Sequence, residues 1–134
     1  MTTYERFAAA IGYPTDELSP EGGILPLVVD GGKMEVRESD GRLVLTRTLG
    51  TFDDASLLRL AGYAAGRMLK EDAVLSWEPE SDGVMLWQDV SADASDGQLR
   101  RVFEVFCASC DWWLARVGEE SVTGERVPEM MIRP

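Results

Sequence analysis

The sequence predicts an α+β domain: an antiparallel twisted sheet covered by helices, in the order α-β-β-β-α-β-β-α. Three observations predict it. Turn signals at Gly31-Gly32 and Ser39-Asp40-Gly41 divide residues 24–49 into three strand segments, the pattern of an antiparallel meander. Residues 73–90 read as a further hairpin, folded at Glu80-Ser81-Asp82-Gly83. After it, Leu99, Val102, Phe103, Phe106, Cys110, Trp113, Leu114 and Val117 fall on one helical face. A helix with that face must cover a sheet, and the sheet precedes it.

Each element follows from local chemistry. Thr2-Thr3-Tyr4-Glu5 has capping-box spacing, with Tyr4, Phe7, Ala8 and Ile11 on one face and Gly12 and Pro14 as the stop. A helix of two to three turns is marginal alone, so it must dock. Residues 15–23 are rich in Pro and Gly and read as a loop. Ile24 to Asp30 is an apolar strand whose Pro26 suits an edge or a bulge. Lys33 to Glu38 alternates about Met34 and Val36, and Arg42 to Leu49 alternates about Leu43 and Leu45. A second helix spans Asp54 to Lys70, capped by Thr51 or Asp53. Its apolar residues form two stripes, one with Leu57, Leu60, Ala61, Ala64 and Met68, the other with Leu58, Ala65 and Leu69. That arc is wider than one packing contact needs, so either the helix is central or one stripe meets another subunit. Ser95-Asp96-Gly97-Gln98 is a second capping box, opening the long helix. Gly118 is its expected end. Residues 1–118 then form one domain, and residues 119–134 an acidic, loosely held tail.

Composition narrows the function. The 134 residues carry a formal charge of −11, from 24 acidic and 13 basic side chains. That excess argues against nucleic acid, which needs a basic footprint, and against an anionic membrane surface. No stretch approaches the length needed to span a bilayer, and no apolar signal region opens the chain. The absence of histidine removes Ser-His and Cys-His nucleophilic pairs and every histidine-ligated metal site. No P-loop or dinucleotide fingerprint occurs, so neither cofactor nor metal is expected.

Cys107-Ala108-Ser109-Cys110 matches C-x-x-C, which makes a thiol oxidoreductase the enzymatic rival. In thioredoxin-like sites the motif opens a helix, where the amide dipoles lower the thiol pKa. Here about two turns of helix precede Cys107. Buried structural cysteines in a reducing cytoplasm fit better.

Four stretches carry a resemblance to a known family. They are Leu57-Leu58-Arg59-Leu60-Ala61-Gly62-Tyr63, then Ala73-Val74-Leu75-Ser76-Trp77, then Asp82-Gly83-Val84-Met85-Leu86-Trp87, and the closing helix from Leu99 to Trp113. With them, over Tyr4 to Val117, the chain resembles the class I type III secretion chaperones, the Tir-chaperone family. These are small acidic cytoplasmic proteins of Gram-negative bacteria. Gly62 departs from the pattern, where the family often carries Asn. The resemblance implies a homodimer that holds the N-terminal segment of one or a few secreted effectors in extended form, without a cofactor. It also brings in the secretion ATPase as a candidate partner. A regulatory binding protein of the same fold is the remaining alternative.

Two surfaces are expected. The double stripe and the Trp77 strand suggest a dimer interface of Leu58, Gly62, Ala65, Leu69, Leu75, Trp77 and Trp87. The first helix and the meander are the less burdened parts. They leave Phe7, Ile11, Leu27, Val29, Met34, Val36, Leu43 and Leu45 for the effector. Which strand parity faces outward stays open, because a one-residue register change exchanges the faces. Replacing Phe7 and Val36 by Asp is expected to weaken the effector and spare the dimer.

Overall fold

In a computed structural model, residues 2–14, 24–29, 32–67, 72–78 and 83–129 are described. The order is α1 (Thr3–Ile11), β1 (Ile24–Val29), β2 (Gly32–Ser39), β3 (Arg42–Thr51), α2 (Asp54–Arg67), β4 (Val74–Glu78), β5 (Gly83–Ser91) and α3 (Asp96–Glu129). This is the predicted α-βββ-α-ββ-α order. Among the described residues five strands form one antiparallel sheet, β1-β2-β3-β5-β4, with β1 and β4 as its edges.

Local signals set the helix starts. Thr2 and Glu5 complete the first capping box: the Thr2 N–H donates to Glu5 Oε1 at 2.7 Å, and the Glu5 N–H to Thr2 Oγ1 at 3.1 Å. Ser95 and Gln98 do the same for α3, at 2.9 and 3.2 Å. Asp53 is the cap of α2, its carboxylate accepting the Ser56 N–H at 2.8 Å. These bonds lower the carboxyl pKa values of Glu5 and Asp53, mainly through the backbone amides of Thr2 and Ser56. The turn between β2 and β3 is Asp40-Gly41 with φ of 51° and 75°, the left-handed pair that a two-residue hairpin prefers.

One sheet face holds the core. Leu25, Leu27, Met34, Val36, Leu43, Leu45, Val84 and Leu86 point toward Phe7 of α1, Leu60 of α2 and Leu99, Phe106 and Trp113 of α3, in one buried cluster. All three helices therefore cover the same face. The other face carries Lys33, Glu35, Arg37, Val44, Thr46, Met85 and Trp87, each exposed or half-buried. Two arginines pin α1 to the start of α3. Arg6 donates to the Ala92 and Ala94 carbonyls and to Asp96, and Arg100 to the Ala10 carbonyl.

Some boundaries differ from expectation. Gly32 opens β2 opposite Val29 instead of lying in the turn. Gly118 does not end α3, whose backbone stays helical to Glu129. Glycine stops a helix by adopting a left-handed φ; Gly12, Gly41 and Gly50 have positive φ, and Gly118 does not. Inside a helix it costs only about 1 kcal/mol relative to Ala. Leu69, the loop at 15–23, the turn before Gly83 and the C-terminal Met130, Met131 and Ile132 lie outside the described residues.

Candidate partner-binding surfaces

The first surface is the β1 edge. Backbone groups in an antiparallel strand point alternately to either side. The Val28 N–H points off the sheet, since it donates to the Tyr13 hydroxyl at 3.5 Å. Ile24 and Pro26 share its parity and face outward too, and Pro26 has no N–H to offer. Val28 is 64% exposed, and Pro26 is also exposed. At the far end of this edge β2 runs past β1, and the Glu38 N–H donates to the Tyr4 hydroxyl at 3.1 Å.

Both tyrosines belong to the α1 segment. Tyr4 sits in the first turn. Tyr13 follows Gly12, which takes φ 79° and closes α1 with bonds from the Gly12 N–H to Ala9 O and from the Tyr13 N–H to Ala8 O. This pairing is the Schellman ending, and it fixes where Tyr13 leaves the helix.

The expected effector set requires correction. Phe7, Leu27, Val36, Leu43 and Leu45 are 0% exposed and Met34 1%, all in the core under the helices. A partner cannot reach them without opening the fold. Two Asp residues at Phe7 and Val36 would place carboxylates in that core and unfold it, so that substitution no longer tests binding. Ile11 and Val29 are half-buried. The parity was readable from β2, where Lys33, Glu35 and Arg37 alternate with Met34 and Val36. Charged residues mark the solvent side of a one-sided sheet.

The second surface lies at the opposite edge. On α2 only Ser56 and Leu60 are buried. Leu58 is 76% exposed, and Ala61, Gly62 and Ala65 lie open beside it. A Cβ at Gly62 or Gly66 would meet nothing within 4 Å, so no packing inside the chain calls for glycine at either place. Between this helix and β4 runs an apolar groove lined by Leu57, Leu58, Ala61, Ala64, Leu75 and Trp77. Trp77 is 52% exposed and Val74 45%. Of the residues assigned to the dimer, Leu58, Leu75 and Trp77 line this groove, and Gly62 and Ala65 lie open on the same helix. Trp87 stands on the helix-free face, where its neighbour across the ladder is Val74.

The remaining candidates have roles inside the chain. Trp112, off the main stripe of α3, joins α2 to α3: the Arg67 guanidinium lies 3.8 Å and that of Arg116 4.4 Å from the ring centroid, and Tyr63 meets the ring edge-on at 6.2 Å. Cys110 is buried, and burial pushes its thiol up to about 12. A thiol held so fully protonated at neutral pH is the reverse of a redox nucleophile. Among the described residues no cluster of three His, Cys, Asp or Glu side chains could hold a metal, and no helix is long and apolar enough to cross a membrane.

No protein-family profile and no curated protein matches the chain. Solved structures do. A chain of the HopA1–SchA chaperone–effector complex superposes with a TM-score of 0.66 at 16% identity, over 83% of this chain and 89% of that one. A chain of the complex between the Yersinia pestis type III secretion chaperone SycH and a stable fragment of YscM2 gives 0.59 at 16% identity, over 81% and 92%. YbjN of E. coli, a putative transcription regulator, gives 0.52 at 15% identity, over 90% and 83%. The chain thus has the fold of type III secretion chaperones, a fold that YbjN shares.

Proposed function

We propose that this protein is a type III secretion chaperone, a binding protein and not an enzyme. It holds the N-terminal region of a secreted effector in extended form and keeps that region soluble and competent for export. Cytoplasmic homodimers, joined along the α2–β4 groove, are the working unit. The observation that carries the reading is the fold, which the chain shares over four-fifths of its length with chains of a chaperone–effector complex and of a type III secretion chaperone complex with a stable fragment of YscM2. The surfaces support it. The β1 edge presents backbone groups and the exposed Val28 to an extended chain, which is the geometry of strand addition. The exposed Leu58 and Trp77 supply apolar area for a second subunit. The YbjN likeness favours the second reading, a regulatory binding protein of the same fold.

The test is calorimetric titration with N-terminal fragments of secreted proteins from the same genome, encoded beside this chain or in its secretion cluster. The parent should bind one fragment. Val28→Asp, placed at a 64% exposed position, should weaken binding at least about tenfold, or 1.4 kcal/mol, with an unchanged circular dichroism spectrum. Absence of binding to every such fragment would favour the regulatory reading.

A further inference from the structure

The β1 edge is guarded by the chain itself. An open sheet edge is a template for any strand, and proteins protect such edges. Here the outward N–H of Val28 is taken by Tyr13, that of Glu38 by Tyr4, and position 26 has no N–H. One hydroxyl comes from the first turn of α1 and the other from the residue just past its cap, so the two ends of this segment match the two ends of β1. A single residue, the left-handed Gly12, sets the exit of Tyr13 toward Val28.

From this juxtaposition we infer that Tyr13 is a displaceable cap: it closes the β1 edge in the free protein and yields the Val28 N–H to an incoming extended segment. The inference rests on the proposed binding of an extended partner and names how the edge selects it. The Tyr13 bond, at 3.5 Å on an exposed strand, is long and weak, so a strand carbonyl can replace it. The occupant is an extended polypeptide, because what the edge offers is a row of backbone groups and not a pocket. Pro26 then fixes its register. Opposite Pro26 the partner finds carbonyl oxygen but no donor, so its ladder must close at Val28 on one side and Ile24 on the other. The cap has a second consequence in the free protein, where it keeps β1 from pairing with another copy of itself.

The probe is a twelve-residue peptide of alternating valine and threonine with lysine at both ends. Its control is the same peptide N-methylated at every backbone amide, which keeps the charge and cannot complete a ladder from either edge. Full-length parent, Tyr13→Phe and Tyr4→Phe chains are titrated, and amide hydrogen exchange is read by residue. Phenylalanine keeps the ring and removes only the hydroxyl. In free Tyr13→Phe the Val28 amide should exchange faster than in the parent. The peptide should bind this variant about threefold to tenfold more tightly, as expected for one hydrogen bond that no longer has to be broken. The methylated peptide should bind none of the three. Tyr4→Phe should release the Glu38 amide in the same way, which keeps the test alive should Tyr13→Phe misfold. Equal affinity with unchanged Val28 exchange would overturn the cap. So would peptide protection on Val74–Glu78 in place of β1, while leaving capture of an extended chain intact. No binding to any of the three proteins would overturn strand capture itself, and the inference with it.

Discussion

At the scale of single residues, the side chains readable in advance are those whose partners sit three residues away. Thr2 with Glu5 and Ser95 with Gln98 need only i, i+3 spacing, and both boxes form. Tyr4 and Tyr13 were not legible as edge caps, because their partners Glu38 and Val28 are distant in sequence and meet them only after the sheet forms. Cys110 lies between these cases. Its helical phase pointed to burial, and burial decides its chemistry. The thiol rises from an ordinary 9.0 to about 12 because the thiolate loses its hydration. A group that holds its proton more tightly when folded contributes stability that is complete below pH 9 and is lost as pH climbs toward 12. Urea unfolding between pH 9 and 12 should therefore show stability falling more steeply in the parent than in Cys110→Ala. At pH 8, iodoacetamide should label the half-buried Cys107 well before Cys110 in the folded chain. Equal labelling rates would show that α3 opens locally, or that the thiol is not buried.

At the scale of elements, periodicity carried the reading of α3 well because that helix has one strong stripe. Leu99, Phe106, Cys110, Trp113 and Val117 of α3 are all buried, as their spacing required. Strand parity did not follow from turns alone. Choosing Leu27, Met34, Val36, Leu43 and Leu45 for a partner amounted to choosing the core face, and the alternating charges of β2 were the overlooked signal. For α2 the sequence posed a choice between a central helix and a shared one. The structure buries Leu60 and leaves Leu58, Gly62 and Ala65 open, which favours sharing. Leu58→Asp tests this on the element itself. At 76% exposure the substitution should change stability by no more than about 0.5 kcal/mol, the range of ordinary surface changes. Sedimentation equilibrium should nonetheless move from twice the chain mass to the chain mass at micromolar concentration. A parent that is already monomeric would remove α2 from any interface.

At the scale of the whole molecule, the strand order keeps the two surfaces apart. β1 and β4 are opposite edges of a five-stranded sheet, four strand spacings or about 19 Å from one another. The core between them is one continuous cluster, with Leu25 and Leu27 at one end and Leu60 and Val84 at the other. Only the element order was needed to predict that a core exists; which edges stay open depends on the order β1-β2-β3-β5-β4. Sites farther apart than about 10 Å with no shared partner contribute additively. The Val28 edge and the Leu58 groove should then behave as independent devices. In a cycle of parent, Val28→Asp, Leu58→Asp and the double variant, Val28→Asp should weaken partner binding by the same factor whether the chain is dimeric or monomeric. The coupling energy should stay within about 0.5 kcal/mol. Calorimetry on the four proteins measures it, with sedimentation run beside each. A coupling well above that would mean that one bound segment spans both subunits and touches both edges. Each dimer would then hold its partner as a single continuous site.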